Sequence, residues 1–183
     1  MRYHAKLPIS MPSLCAPEKI DEVKEYTKLQ RFARKTTGHK VAFRSLHFAD
    51  AQQYLQYLPE CLLAQEVPAV FILEAPAVEG EAPVIPPHID YRRLCGLNIY
   101  LEASGEITQF YTWDAKTKTN TVVEQFVAQP GDCWLLDTSV PHGVLLIKNK
   151  ARRMLTFSFS QLTFGEVLAH VEQHAKDAQS TAC

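Results

Sequence analysis

The chain changes its hydrophobic period part-way along. From Pro17, the run PEKIDEVKEYTKLQRFARK carries Ile20, Val23, Tyr26, Leu29 and Phe32 at helical spacing. Pro17 suits a first helical turn, Glu18, Asp21 and Glu22 favour the positive end of a helix dipole, and Gly38 suits a stop. These signals predict a helix from Pro17 to about Gly38. A second is predicted from about Ala49 to Gln65, kinked or broken at Pro59. From Ala69 the pattern becomes strand-like. VFILEA, LCGLNIYLE, EITQFYTW, TVVEQFVAQ, DCWLLDT, HGVLLIK and RRMLTFSFS are short runs rich in β-branched and aromatic residues. Ser104-Gly105, Pro130-Gly131, Pro141 and Lys148-Asn149-Lys150 are turn signals between them. The Pro-rich AVEGEAPVIPP, from Ala77 to Pro87, reads as a loop entering a strand, and a last helix is predicted from about Phe164 to Ala178.

The layout is one domain over residues 1–183. It has a helical N-terminal part to about residue 68, a β core over about 69–160, and a closing helix over about 164–178. Many short strands without alternating helices argue for an antiparallel barrel or sandwich rather than a βαβ fold.

Composition narrows the classes. A chain of 183 residues can bury a core without disulfides or a structural metal, and 46% hydrophobic with 21% charged residues is a globular balance. The formal net charge of −1 leaves no electrostatic footprint for duplex DNA or an anionic membrane, so no nucleic-acid or membrane partner is expected. No apolar run reaches the ~18–20 residues a membrane span needs. Arg2 and Lys6 precede a stretch broken by Pro8 and Pro12, so no export signal is read. The five cysteines are scattered, odd in number and without a C-x-x-C pair, which fits free thiols in a reducing compartment. The expectation is a cytoplasmic enzyme or binding protein, of undetermined oligomeric state.

Three features on the β core carry chemistry. In His88-Ile89-Asp90, residues two apart share a strand face, so one imidazole and one carboxylate reach a common point. His142 begins another strand. Two histidines and a carboxylate form a facial triad that leaves adjacent coordination positions open, as non-haem Fe(II) oxygenases require; zinc could also occupy it. The third feature is the pair Arg152-Arg153. A hairpin from His142 to Ser160 with its turn centred on Asn149 sets His142 opposite Thr156. Arg152, Met154, Thr156 and Ser158 then face the metal, and Arg153, Leu155, Phe157 and Phe159 face away. A two-residue turn would exchange the faces. The polar company of Thr156 and Ser158 favours Arg152, with Arg153 left open. Asn98 and Tyr100 share a face of LNIYL and either could donate to a ligand.

Other residues are weaker candidates. Tyr91, Arg92 and Arg93 rim a pocket or lie exposed at a strand end, with Arg93 a candidate for a substrate carboxylate. Tyr111 and Trp113 line a substrate cleft or belong to the core. His170 and His174 share a face of the last helix without a third ligand, and Cys95 and Cys133 read as buried strand cysteines. Asp137 suits a turn, and His39 and His47 flank a strand-like segment without partners.

HID at 88–90, PHGV with His142 and RRMLTF with Arg152, preceded by GDCWLLDTSVPHGV, resemble the Fe(II)/2-oxoglutarate-dependent oxygenase superfamily. LNIYLE is similar to its prolyl and aspartyl/asparaginyl hydroxylase branches. The resemblance covers roughly residues 83–160. It implies a mainly β fold with flanking helices, built on a double-stranded β-helix (a cupin-like jelly roll). It also implies Fe(II) on His88, Asp90 and His142, and 2-oxoglutarate held by Arg152 with help from Tyr100 and Thr156. The implied reaction uses O2 to decarboxylate 2-oxoglutarate to succinate and CO2 while hydroxylating an unactivated C–H of a small molecule, amino acid or peptide side chain. Asp90 argues against halogenation. Where the demethylase branch has a second arginine this chain has Ser158, which argues against nucleic-acid demethylation. The competing reading is a cupin-like metal- or ligand-binding module. Its usual H-x-H and glutamate are not the pattern here.

Overall fold

The computed structural model describes residues 2–9, 26–33, 40–47, 51–75, 84–147 and 149–180. Eleven strands are described: β1 (His4–Leu7), β2 (Tyr26–Ala33), β3 (Lys40–His47), β4 (Ala69–Ala75), β5 (Val84–His88), β6 (Cys95–Glu102), β7 (Ile107–Asp114), β8 (Thr119–Val127), β9 (Cys133–Asp137), β10 (His142–Leu145) and β11 (Arg152–Phe159). They form two antiparallel sheets. One runs β1-β9-β6-β11-β4-β3-β2, the other β5-β10-β7-β8. From β4 to β11 the chain passes back and forth between the sheets, apart from the β7–β8 hairpin within the smaller one, which is the winding of a double-stranded β-helix.

Alternation in the larger sheet builds its two environments. On β6, Cys95, Leu97, Ile99 and Leu101 join Leu155, Phe157 and Phe159 of β11 in a core that also takes Tyr54, Leu58, Leu62, Phe164, Val167 and Val171 from the helical segments. The alternate residues Asn98 and Tyr100 point between the sheets. Tyr100 packs there with Phe110, Phe126 and Met154. Both faces of β6 are therefore covered, and Cys95 to Leu101 are all buried.

The helices are a 3-10 segment (Ala51–Tyr57), α1 (Glu60–Leu63) and α2 (Phe164–Ser180). Pro59 divides the first two, as its ring requires. A capping box starts α2: the Glu166 carboxylate accepts from the Thr163 amide at 2.8 Å and its hydroxyl at 2.7 Å. Beyond α1, the Glu66 carboxylate accepts from Ser160, Gln161 and Leu162 amides at 2.7–3.0 Å, tying the helical segment to the end of β11. No described helix is long and apolar enough to cross a membrane.

Two expectations are overturned. The helix from Pro17 to Gly38 is contradicted over Tyr26–Ala33, which is strand paired with β3 from Tyr26↔His47 to Ala33↔Lys40. Residues 17–25 and 34–39 lie outside the described residues. The N-terminal part is thus not simply helical: β1 pairs with β9, and β3 pairs with β4. The supposed β10–β11 hairpin does not form either. β10 pairs with β5 and β7, while β11 pairs with β4 and β6 in the other sheet.

β5 is an edge strand, which is where Pro86 and Pro87 can lie without costing ladder hydrogen bonds. Its pairing with β10 is bulged between His142 and Val144. At the bulge a Cβ on Gly143 would lie 2.6 Å from the Ile85 carbonyl oxygen, a backbone atom that cannot swing away. We expect Gly143→Ala to lower stability by about 1–3 kcal/mol through backbone displacement. Gly165→Ala, with nothing within 4 Å of the added carbon, should be neutral or stabilising. Denaturant unfolding of both variants checks this contrast.

Candidate metal centre

The ends of β5 and β10 meet at the mouth of the smaller sheet. The pairing sets His142 directly opposite His88, with ring centroids 4.4 Å apart. β5 ends at His88, so Asp90 stands just beyond the strand; its amide donates to the Thr138 carbonyl at 3.1 Å. One potential ligand atom from each of His88, Asp90 and His142 lies within 4.8 Å of the others. Among the described residues this is the cluster of His, Cys, Asp and Glu able to hold an ion.

The tautomers follow from the backbone. His88 Nδ1 lies 2.9 Å from the Pro86 carbonyl oxygen, and His142 Nδ1 lies 2.9 Å from that of Val140. A carbonyl only accepts, so each Nδ1 carries a hydrogen, and Nε2 is the ring nitrogen turned toward Asp90. Those Nε2 atoms stand 3.4 Å and 3.9 Å from Asp90 Oδ1. Such backbone carbonyls orient metal-binding imidazoles and raise their basicity. Two imidazoles and one carboxylate gathered at one point suit Fe(II) with open positions beside it.

Electrostatics separate the three. Burial opposes charge on Asp90, but the His88 hydrogen bond and the Arg93 and His142 charges hold its carboxyl down at about 2. Burial and the neighbouring His88 push His142 down to about 4. For His88 burial pulls downward, yet the Asp90 and Pro86 hydrogen bonds leave its value raised.

The triad opens on a cavity of about 70 Å³. Arg152 lines it and is 4% exposed. The alternation of β11, with Leu155, Phe157 and Phe159 committed to the helical core, is what turns Arg152 inward. Arg153 faces elsewhere, beside Glu74 at 3.6 Å and Glu102 at 3.5 Å. Arg152 Nη2 donates to the Tyr100 hydroxyl at 2.9 Å. Asn98 lines the cavity, and its Oδ1 accepts from Thr156 Oγ1 at 3.0 Å. Tyr100 and Thr156 are fully buried and brace Arg152 and Asn98 from behind.

Of the substrate candidates, Arg93 lines the cavity, where its guanidinium meets Asp90 and Asn98. Tyr91 and Trp113 are largely exposed, and the Tyr111 hydroxyl donates to Gln109 Oε1 at 2.9 Å. None of these three lines it. Glu106 was not anticipated. It is 2% exposed, and its Oε1 lies 3.3 Å from Arg152 Nε without hydrogen-bond alignment. The SGEI stretch reads as an ordinary polar turn, and the one available signal was an acid entering a strand beside apolar neighbours. His170 and His174 lie on α2, away from the triad.

No family model and no curated protein matches the chain. Solved structures do. A ribosomal oxygenase from Escherichia coli, YcfD, in complex with cobalt and succinic acid, matches at 12% identity and a TM-score of 0.52, over 91% of this chain and 50% of that one. The chain thus spans half of that neighbour. AviO1 from Streptomyces viridochromogenes matches at 16% identity and 0.49, over 87% and 90%. A Pseudomonas putida prolyl-4-hydroxylase matches at 16% and 0.46, over 88% and 94%. At 12–16% identity, what the chain shares with these structures is the fold, a jelly roll.

His142 offers a test that needs no metal. Its folded value of about 4 lies below the ordinary 6.5, so the unfolded chain takes up this proton first as pH falls. Above 6.5 the group contributes no pH dependence; between 6.5 and 4 it erodes stability. In metal-free protein, His142→Gln should therefore lose less thermal stability than wild type between those two pH values. Equal slopes would refute the assignment.

Proposed function

We propose that the protein is an Fe(II)- and 2-oxoglutarate-dependent dioxygenase that hydroxylates an unactivated C–H of a small molecule, amino acid or peptide side chain. The observation that carries this reading is the triad whose two Nε2 atoms converge on Asp90 Oδ1, with Arg152 lining the same cavity. A structural neighbour solved with cobalt and succinic acid is in keeping with it.

His88, Asp90 and His142 would hold the iron. Bound there, Fe(II) would couple O2 reduction and 2-oxoglutarate decarboxylation to C–H oxidation. Arg152 would bind the far carboxylate of the cosubstrate through its guanidinium fork, with Tyr100 holding the fork in place. Asn98 would donate its amide N–H groups to the same ligand, since its oxygen already accepts from Thr156 and Arg93. Leu73, Ile85, Leu136, Val144 and Met154 give the cavity an apolar wall that keeps bulk water from the reacting atoms. Tyr91 and Trp113, both exposed, would meet the outer part of a substrate. The free thiols of Cys61, Cys95 and Cys133 suit a reducing, cytoplasmic setting.

A metal-binding module without oxygenase chemistry is the second reading. Glu106 favours it, because a carboxylate beside Arg152 lowers the positive charge available to a dianionic cosubstrate. One titration separates the two. Anaerobic Fe(II) plus 2-oxoglutarate should give a weak visible charge-transfer band with the wild type. Arg152→Ala should weaken the cosubstrate by about tenfold or more, as loss of a charged hydrogen bond would. Arg153→Ala should leave it nearly unchanged. Metal binding with no such band would favour the second reading, and equal effects at the two arginines would remove Arg152 from its role.

A further inference from the structure

We propose that Arg93 is a positioning residue for the metal centre, locking Asp90 so that only Oδ1 is offered to the ion. This rests on the metal-binding reading above but concerns how the carboxylate is held.

Arg93 arrives by a backbone device. Arg92 has φ of 59°, in the left-handed region that a long side chain seldom adopts, and the chain reverses there. Thr138 Oγ1 then donates to the Arg93 carbonyl at 2.8 Å, fixing the returning strand. The guanidinium lands against Asp90: Nη1 donates to Oδ2 at 3.1 Å. Its other end is braced, with Nη2 donating to Asn98 Oδ1 at 3.2 Å, the atom that Thr156 also holds. The two carboxylate oxygens thus have different neighbours. Oδ1 faces His88 and His142; Oδ2 is taken by Arg93.

Gly96 is the second observation. It sits in β6, between β9 and β11, where a glycine weakens a strand and its φ is not in the left-handed range. The backbone does not require glycine there. The guanidinium occupies the place of a side chain: a Cβ on residue 96 would lie 1.8 Å from Arg93 Nη2, 2.5 Å from Cζ and 2.8 Å from Nε, so Arg93 would have to swing aside. The missing side chain is the space in which Arg93 lies. A purely surface-facing or loop-pinning arginine would need no such recess.

The experiment uses Co(II) alone, without cosubstrate, on the full chain, reading affinity and the visible d–d spectrum. Freed from Arg93, Asp90 can offer both oxygens, which raises the coordination number and alters the bands. Arg93→Ala should weaken Co(II) by about ten- to a hundredfold, as removal of a group supporting a metal ligand does, and should change the spectrum. Arg93→Lys should restore part of both. Gly96→Ala should reproduce the loss by displacing the guanidinium, and the double variant should be no worse than Arg93→Ala alone. Unchanged affinity and spectrum in Arg93→Ala and Gly96→Ala, or losses that multiply in the double variant, would overturn the proposal. If Arg93→Ala does not fold, Gly96→Ala and Arg93→Lys decide by the same spectral readout. Absence of Co(II) binding by the wild type would instead strike the metal centre itself, as would Co(II) retained after His88→Ala.

Discussion

The cross-strand contact between His88 and His142 is the constraint on which the rest of the cavity depends. It is set by backbone pairing at an edge: β5 and β10 run antiparallel, the register places the two histidines opposite each other, and a bulge after His142 adjusts the approach. The same local device serves both rings, since each Nδ1 binds a carbonyl two residues earlier in its own chain segment. Rigid backbone thus takes part in orienting both imidazoles. This is the preorganisation that a site with only three protein ligands needs. Asp90 completes the set from beyond the strand end, with its amide held by Thr138.

Around that contact the cavity balances its charges in pairs. Arg93 stands against Asp90 and Arg152 against Glu106, all four in or behind one small space. Buried ion pairs add little net stability when desolvation is counted, so their value here lies in placing polar groups at fixed positions. A divalent ion on the triad would leave the cavity with a surplus of two positive charges, which matches a dianionic ligand.

Much of this arrangement was legible from residue order. Alternation in β6 and β11 separates Asn98, Tyr100 and Arg152 from the large apolar residues that pack under the helices, and that alternation survives whatever the strands pair with. The inward path of Arg152 was inferred from a hairpin that does not exist, because β10 and β11 lie in different sheets. The parity of β11 alone was sufficient. The strand at Tyr26–Ala33 was hidden because its apolar spacing also fits a helix, and pairing with β3 decided the outcome. Arg93 reads from the sequence as a candidate for a substrate carboxylate, and its contact with Asp90 was hidden for a local reason: no glycine announces the left-handed turn at Arg92. Glu106 was hidden because a buried carboxylate is recognisable only with its partner, and Arg152 is far away in the chain.

Anomalous diffraction from crystals loaded with Mn(II) tests the central claim most directly. The account predicts one site per chain, coordinated by His88 Nε2, His142 Nε2 and a single oxygen of Asp90. An ion bound elsewhere, or no ion between the ends of β5 and β10, would contradict it.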